Sequence, residues 1–435
     1  MSDELPSAGR IGAPRLVELL GGWRNAAGRT TAHQLAQALR LLILDGRITV
    51  GTELPSQRAL ADALNVSRTM VTAALDEVRA DGLLAARRGS GMWVAQQRRA
   101  RASEVAEQPE LIDLARAAPE AISGLIPAID AVRARLPVEL SAHGYHTYGV
   151  PELRAQLAAY YTTRGLPTRA EQILITNGAH SAFVLVLATL VRPGERVLLE
   201  DPGYPNAIDS VRAVRAQAVG LAMGEEGWDC AAADAALSGG GIALCYLVPE
   251  FQNPTGAWMS VATRRAFGAL LRERKTLAVA DETLVELDYS GRAAPPPLAA
   301  YAPRQVITIG SASKSHWGGL RLGWIRASAG IIDRIASARM NLDLGSPVFS
   351  QLLLAELYAA RDSRLDGERN TPLEQRRVEL SARRDLLCGA LREHCPQWRF
   401  RVPEGGLSLW CELPKPIGTR FVLAAAANGV RLAHG

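Results

Sequence analysis

Lys314 is one of only three lysines, with Lys275 and Lys415, in a 435-residue chain that holds 46 arginines. An ε-amine with a lowered pKa attacks a carbonyl and forms a Schiff base, whereas a guanidinium stays protonated. Lys314 closes the tetrapeptide Ser311-Ala312-Ser313-Lys314, just after the apolar run Val306-Ile307-Thr308-Ile309, and Arg321 follows seven residues later. An amine, small hydroxyls and a fixed cation at this spacing suit a phosphorylated aldehyde such as pyridoxal phosphate. The tetrapeptide alone also suits a solvated loop lysine, since short motifs recur by chance.

Four other stretches carry related chemistry. Thr176-Asn177-Gly178-Ala179-His180 reads as a strand end and a glycine turn opening a helix. Backbone N–H groups at such a helix start hold a phosphate; a plain tight turn is the other reading. Tyr204, in Asp201-Pro202-Gly203-Tyr204-Pro205, offers a flat face either to an aromatic ring or to the core. Asn253, in Asn253-Pro254-Thr255-Gly256, either donates to a phenolate oxygen or belongs to a turn with Pro and Gly in favoured places. Asp281 ends the run Thr276 to Ala280. A buried carboxylate there pairs with a protonated pyridine nitrogen; an exposed one is an N-cap or surface acid.

These groups need a scaffold, and the chain from about Leu111 supplies one. Strand-like runs at Gln172 to Thr176, Arg196 to Glu200, Ile242 to Val248, Thr276 to Ala280 and Val306 to Ile309 alternate with helical stretches. That predicts an α/β layout with a mostly parallel sheet, in which ligands bind beyond the carboxyl ends of the strands.

The N-terminal pattern is different. Leu35, Leu39, Leu42 and Ile43 fall at helical spacing over Thr31 to Asp45, with a stop at Gly46. Ser56 suits the N-cap of a second helix running to about Leu64, and Asn65-Val66 a tight turn. Ser67 caps a third helix, Arg68 to Ala80, ending at Asp81-Gly82. Leu83 to Arg87 and Met92 to Val94 are strand candidates joined by Arg88-Gly89-Ser90-Gly91. Three helices and a hairpin make a winged helix-turn-helix. Ser67, Arg68 and Thr69 stand where hydroxyls, guanidinium and helix dipole meet phosphates and base edges. Ser56 and Arg58 suit backbone contacts, and Arg88, Gly89 and Gly91 a wing tip that approaches a groove. Ala27 to Arg98 holds nine arginines against six acids. The competing reading is an ordinary helical domain with solvated arginines.

Composition sets outer bounds. Hydrophobic content of 48% is that of a globular chain. The longest apolar run, Ala182 to Val191, is too short to span a bilayer, and early acids with no apolar segment argue against a signal peptide. Five scattered cysteines without CxxC spacing read as buried thiols in a reducing cytosol, with no metal site. A net charge of +5 permits nucleic-acid contact without demanding it. The chain divides into a lead (1–26), the winged helix (27–96), a polar linker (97–110) and the α/β region (111–435). The expected location is cytoplasmic, away from membranes.

Residues 31–94 resemble the winged-helix domain of GntR-type bacterial repressors. The carrying residues are Gly51-Thr52-Glu53-Leu54-Pro55-Ser56-Gln57-Arg58, Leu60-Ala61, Val66-Ser67-Arg68-Thr69-Met70-Val71, Gly82-Leu83 and Gly89-Ser90-Gly91. Gln57 departs from the family's usual Glu. Residues 111–435 resemble the aspartate aminotransferase class of fold-type I pyridoxal phosphate enzymes, on the order of the strand-end motifs above. That resemblance implies a Schiff base at Lys314, Asp281 on the pyridinium nitrogen, Asn253 on the ring oxygen and Tyr204 stacked on the ring. It gives the phosphate to Gly178, Ala179, Ser311 and Arg321, with His180 and Ser313 beside them. Tyr145, in Gly144-Tyr145-His146-Thr147-Tyr148-Gly149, matches a tyrosine that reaches the neighbouring subunit's phosphate, with Tyr148 close by.

The two modules in this order are the architecture of the MocR group of bacterial transcription factors. The implied protein is a homodimer that binds a double-stranded operator and senses pyridoxal phosphate, or an amine or amino acid, through an aldimine at Lys314. The alternative is an active aminotransferase with an appended DNA-binding domain. Two departures bear on that choice. Thr283 offers a shorter hydroxyl where the class usually has a tyrosine just after the aspartate. The class also continues past Gly435 to an arginine for the substrate carboxylate; Arg431 lies in the wrong context, so the expectation is either a truncated chain or an incomplete ligand pocket and small domain.

Overall fold

The computed structural model describes residues 9–21, 23, 31–44, 47–87, 91–95, 112–225, 227–363, 365 and 370–433. They form two compact units, Met1–Arg116 with Lys415–His434, and Ala117–Pro414.

In the first unit, helices α1 (Ala13–Leu20), α2 (Ala32–Leu44), α3 (Gln57–Leu64) and α4 (Arg68–Ala80) precede a hairpin of β1 (Leu84–Arg87) and β2 (Gly91–Val94). Leu35, Leu39, Leu42 and Ile43 all turn into one core, as their spacing predicts. Ser56 Oγ accepts from Ala59 N and Ser67 Oγ from Met70 N, both at 3.2 Å, so each serine starts its helix. Asn65 closes α3 in the left-handed conformation, φ 51°. The hairpin pairs Leu84 with Val94 and Arg87 with Gly91. The stretch read as a lead holds α1, whose Leu16 and Leu20 are buried in the same core. The linker at 97–110, the helix stop at Gly46 and the turn residues Arg88, Gly89 and Ser90 lie outside the described residues. A two-residue strand β3 (Ile112–Asp113) completes this part of the chain.

The second unit runs through α5 (Leu125–Glu139), α6 (Pro151–Thr163), β4 (Ile173–Thr176), α7 (Ala179–Leu190), β5 (Arg196–Asp201), α8 (Pro205–Ala213), β6 (Gln217–Gly224), β7 (Gly227–Trp228) and α9 (Cys230–Ser238). It continues through β8 (Ile242–Leu247), α10 (Val261–Arg274), β9 (Leu277–Asp281), α11 (Leu298–Tyr301), β10 (Val306–Ser311), β11 (Gly323–Arg326), α12 (Ala329–Arg339), α13 (Val348–Ala359), α14 (Pro372–His394), β12 (Arg399–Phe400) and β13 (Cys411–Glu412). The remaining α15 (Gly418–Ala427) and β14 (Val430–Arg431) return to the first unit, where β14 pairs in parallel with β3.

The sheet order is β4-β11-β10-β9-β8-β5-β6-β7. β4, β10, β9, β8, β5 and β6 share one direction; β11 and the edge strand β7 oppose it. Both faces are covered. Ala278 and Ala280 enter one core, Val279 the other, as a period of two requires. The expected α/β class with a mostly parallel sheet is the class observed. Because the parallel strands point one way, their carboxyl ends (Thr176, Asp201, Leu247, Asp281 and Ser311) fall along one edge of the sheet. Gly323 starts the opposing β11 at that same edge.

Candidate functional site

Lys314 lies in the turn after β10, and its Nζ donates to the carbonyl of Ala117. Burial pushes its pKa down. Asp281 opposes that shift and Arg321 adds to it. Part-buried amines of this kind are the ones that become nucleophilic near neutral pH.

Asp281 ends β9 and is 8% exposed. Tyr246 Oη donates to its Oδ2 at 2.7 Å and Thr283 N to its Oδ1 at 2.9 Å. Burial pushes the carboxyl pKa up, and these donors hold it down. Thr283 Oγ1 lies close enough to steady the same charge, yet it is buried and makes no hydrogen bond of good geometry. Tyr246 is a residue that sequence reading missed. It sits opposite Val279 in the β8–β9 register, so its hydroxyl reaches the residue two further along the same face.

A cup forms where β4, β10 and β11 meet. Gly178 turns the chain into α7 at φ 94°, a conformation that disfavours any side chain. Gly323 permits the approach of β11: a Cβ there would lie 2.5 Å from Gly178 C, 2.6 Å from Ala179 N and 2.7 Å from Gly310 O. Arg321, left-handed at φ 53°, lays its guanidinium beside Gly178 and donates to the Asn177 carbonyl at 3.3 Å. Ser311 Oγ accepts from Ser313 N at 3.2 Å and lies 2.9 Å from Ser313 Oγ. Helix-start N–H groups, hydroxyls and a guanidinium in one cup are a chemical fit for an anion.

The other expected residues are placed less centrally. Tyr204 is the N-cap residue of α8, and its hydroxyl accepts from Asn206 at 2.7 Å. Asn253 is half-buried after β8, behind a cis Asn253–Pro254 bond. His180 is exposed on the first turn of α7. Tyr145 is 64% exposed, its ring stacked near His143. The segment after it is held by fully buried Arg339, which donates to the carbonyls of Thr147 and Ile175 and to Ser346 Oγ. Arg339 also pairs with Asp343, whose other oxygen accepts from Asn177 Nδ2 at 2.7 Å.

Glu200, unremarked in the sequence, is buried at the end of β5. It accepts from Trp228 Nε1 at 2.6 Å, Val248 N at 2.8 Å and Gln252 Nε2 at 3.0 Å. Burial nonetheless pushes its pKa up to about 7. The folded protein therefore holds this proton more tightly than the unfolded chain, and stability falls as pH rises from the ordinary carboxylate range through 7. Thermal melts between pH 5 and 8 should show that loss, with roughly 3 kcal/mol from Glu200. Glu200→Gln should flatten the slope; an unchanged slope would refute the assignment.

In the first unit, Ser56, Arg58, Ser67, Arg68 and Thr69 are all exposed. The two serines cap with an oxygen lone pair, which leaves each O–H to donate outward. Thr72 Oγ1 lies 3.1 Å from Gln57 Oε1, joining α4 to α3. Gly91 opens β2, while Arg88 and Gly89 fall outside the described residues. Among the described residues, no cluster of His, Cys, Asp or Glu could hold a metal, and no helix is long and apolar enough to cross a membrane.

Comparison with known proteins finds two regions. Residues 109–430 match the family described as aminotransferase class I and II, and residues 31–94 match bacterial regulatory proteins of the gntR family. An uncharacterized HTH-type transcriptional regulator, YdfD of Bacillus subtilis, is 26% identical over 91% of this chain and 87% of its own. The probable rhizopine catabolism regulatory protein MocR of Rhizobium meliloti is 26% identical over 84% and 78%. The crystal structure of LysN, an alpha-aminoadipate aminotransferase from Thermus thermophilus complexed with N-(5'-phosphopyridoxyl)-L-leucine, superposes with a TM-score of 0.65 at 29% identity, covering 74% of this chain and 82% of that one.

Proposed function

As the chain belongs to the aminotransferase class I and II family and carries a gntR-family region at its N-terminus, we propose that it is a DNA-binding transcriptional regulator whose second unit holds pyridoxal phosphate and responds to it, or to an amine or amino acid. The observation that carries this is the pairing of an exposed helix-start interface with a part-buried lysine next to an anion cup, in one chain.

When bound, pyridoxal phosphate supplies an aldehyde that captures amines and an electron-withdrawing ring. The residues present fit it. Lys314 Nζ is the amine that would meet the aldehyde. Asp281, which accepts from Tyr246 Oη and Thr283 N, would face the ring nitrogen. Gly178, Ala179, Ser311, Ser313 and Arg321 would hold the phosphate, with His180 at the rim. Tyr204 would lie on the ring and Asn253 would donate to its oxygen. The unpartnered Thr283 hydroxyl is a polar atom that a ligand would satisfy.

The reading includes a second copy of the chain. Val138, Leu140, Tyr145, Met340, Leu342 and Phe349 are exposed apolar side chains on two neighbouring segments, joined where Arg339 grips Thr147. Exposed apolar side chains of this kind suit a two-fold dimer that presents two winged helices to two half-sites.

On DNA, Ser67, Arg68 and Thr69 would enter the groove, with Ser56, Arg58, Arg88, Gly89 and Gly91 toward the backbone. Arg68→Ala should weaken operator binding by about 1–3 kcal/mol, measured by fluorescence anisotropy across a salt series. Equal affinity of variant and parent would remove α4 as the reading helix. The reading as a whole is tested on purified full-length protein. Visible absorbance and affinity for DNA, including its own upstream region, are followed together as pyridoxal phosphate and amines are added. A protein that binds no promoter at any concentration of either overturns it.

A second reading, an active aminotransferase, is supported by the Lys314–Asp281 pair and the likeness to LysN. Steady transamination would favour it; the absence of even a half-reaction with any amino donor would end it.

A further inference from the structure

Ala117 is the first residue of the second unit, and the chain reaches it directly from Arg116, which belongs to the first. From Ala117 to Ile122 the backbone forms neither helix nor strand. Side chains and a neighbouring loop hold it instead. Lys314 Nζ donates to the Ala117 carbonyl, Arg376 Nη2 to the Glu120 carbonyl at 2.6 Å, and Ile122 N to the His316 carbonyl at 2.8 Å. Two of these ties run to the lysine loop itself, since His316 lies two residues past Lys314. The bond from Lys314 is the first of them that the chain meets on entering the unit.

That bond and the capture of an aldehyde compete for one nitrogen. The ammonium of a lysine has three N–H donors. To attack a carbonyl it first gives one proton to solvent. The nitrogen then forms a double bond to the aldehyde carbon, and its two remaining hydrogens leave with the aldehyde oxygen as water. A proton regained on that nitrogen is held by the phenolate oxygen beside the aldehyde. No donor is left for the Ala117 carbonyl. We infer that Lys314 is the clasp of a strap, Ala117 to Ile122, and that aldehyde capture at Lys314 opens it. The inference rests on the reading that this site takes pyridoxal phosphate. With the clasp open, the first tie moves to Glu120, three residues on. Those three residues add roughly 10 Å of extended chain to the connection between the units. Occupancy of the lysine is thereby written into the freedom of the segment that leads to the winged helix, because the closed strap and the occupied lysine exclude one another.

The test is brief trypsin digestion of full-length protein, with the cut between exposed Arg116 and Ala117 followed by mass spectrometry. When opening is fast, the rate of such a cut follows the fraction of chains that are open. Lys314→Ala without cofactor should be cut there about tenfold faster than the parent, the worth of one hydrogen bond from a charged donor. Pyridoxal phosphate should speed the parent to the Lys314→Ala rate and leave that variant unchanged. Lys314→Arg keeps a donor but captures no aldehyde, so it should be cut slowly with or without pyridoxal phosphate. Equal rates for cofactor-free parent and Lys314→Ala overturn the clasp, whatever the cofactor does. A parent that turns yellow at an unchanged rate overturns the opening and leaves the cofactor reading intact. A parent that is cut slowly and never turns yellow overturns the opening through its premise, so the two failures are told apart. The parent's response to cofactor needs no substitution, and a poorly folding variant therefore does not shelter the idea.

Discussion

Lys314→Ala protein should stay colourless in pyridoxal phosphate at concentrations expected to turn the parent yellow, and borohydride should fix no added mass to it. The expected loss is complete rather than partial. The chain has only two other side-chain amines, Lys275 and Lys415. Lys275 caps α10 in the left-handed conformation, and Lys415 is an exposed residue before α15. Lys275 stands before β9, at the end of that strand opposite Asp281. The variant should keep its far-ultraviolet circular dichroism, since the amine anchors only to the Ala117 carbonyl. Its DNA affinity should no longer respond to added cofactor or amines. A colourless variant whose response persists would reduce the second unit to a scaffold. A fixed mass on Lys275 or Lys415 would move the chemistry elsewhere.

Gly323→Ala should be among the damaging small substitutions in the second unit. The added methyl meets backbone, not side chain, on three sides: Gly178, Ala179 and Gly310. Backbone in a sheet and at a helix start cannot step aside as a flexible side chain can. Overpacking of this kind costs about 3 kcal/mol, or a drop of roughly 5 °C in the melting midpoint for a unit of this size. The cup should fail with it, because β11 would push the Gly178 turn away from Arg321. Pyridoxal phosphate affinity should therefore fall more steeply than stability alone explains. Gly330→Ala is the control. It sits in α12 with open space around the added carbon, and should be neutral or slightly stabilising. Equal melting points for the two variants would discard the close-approach argument.

Much of the fold was legible because its signals are local. Ser56 and Ser67 announce their helices through caps three residues long, and the strand runs at Ile242 and Val306 are apolar because both their faces are covered. The site was legible as an order of strand ends, since the sheet direction carries those ends to one edge. What stayed hidden depends on contacts distant in sequence. Nothing local shows that Leu16 and Leu20 join the winged-helix core, or that β3 pairs with β14 more than three hundred residues later. Tyr246 reads as one more apolar strand residue until the β8–β9 register brings it to Asp281. Glu200 and Arg339 went unremarked, because burial of a charge is decided by partners the sequence does not place side by side.

Arg339 has a mechanical consequence. One rigid, planar guanidinium clasps the carbonyls of Thr147, before α6, and Ile175, within β4, and braces Asp343, which in turn ties down Asn177. The arm bearing Tyr145 and the turn before Gly178 are thereby coupled like two ends of a lever. Any force a neighbouring molecule applies to the exposed arm arrives at the anion cup as a displacement, and any tightening of the cup is felt at the arm.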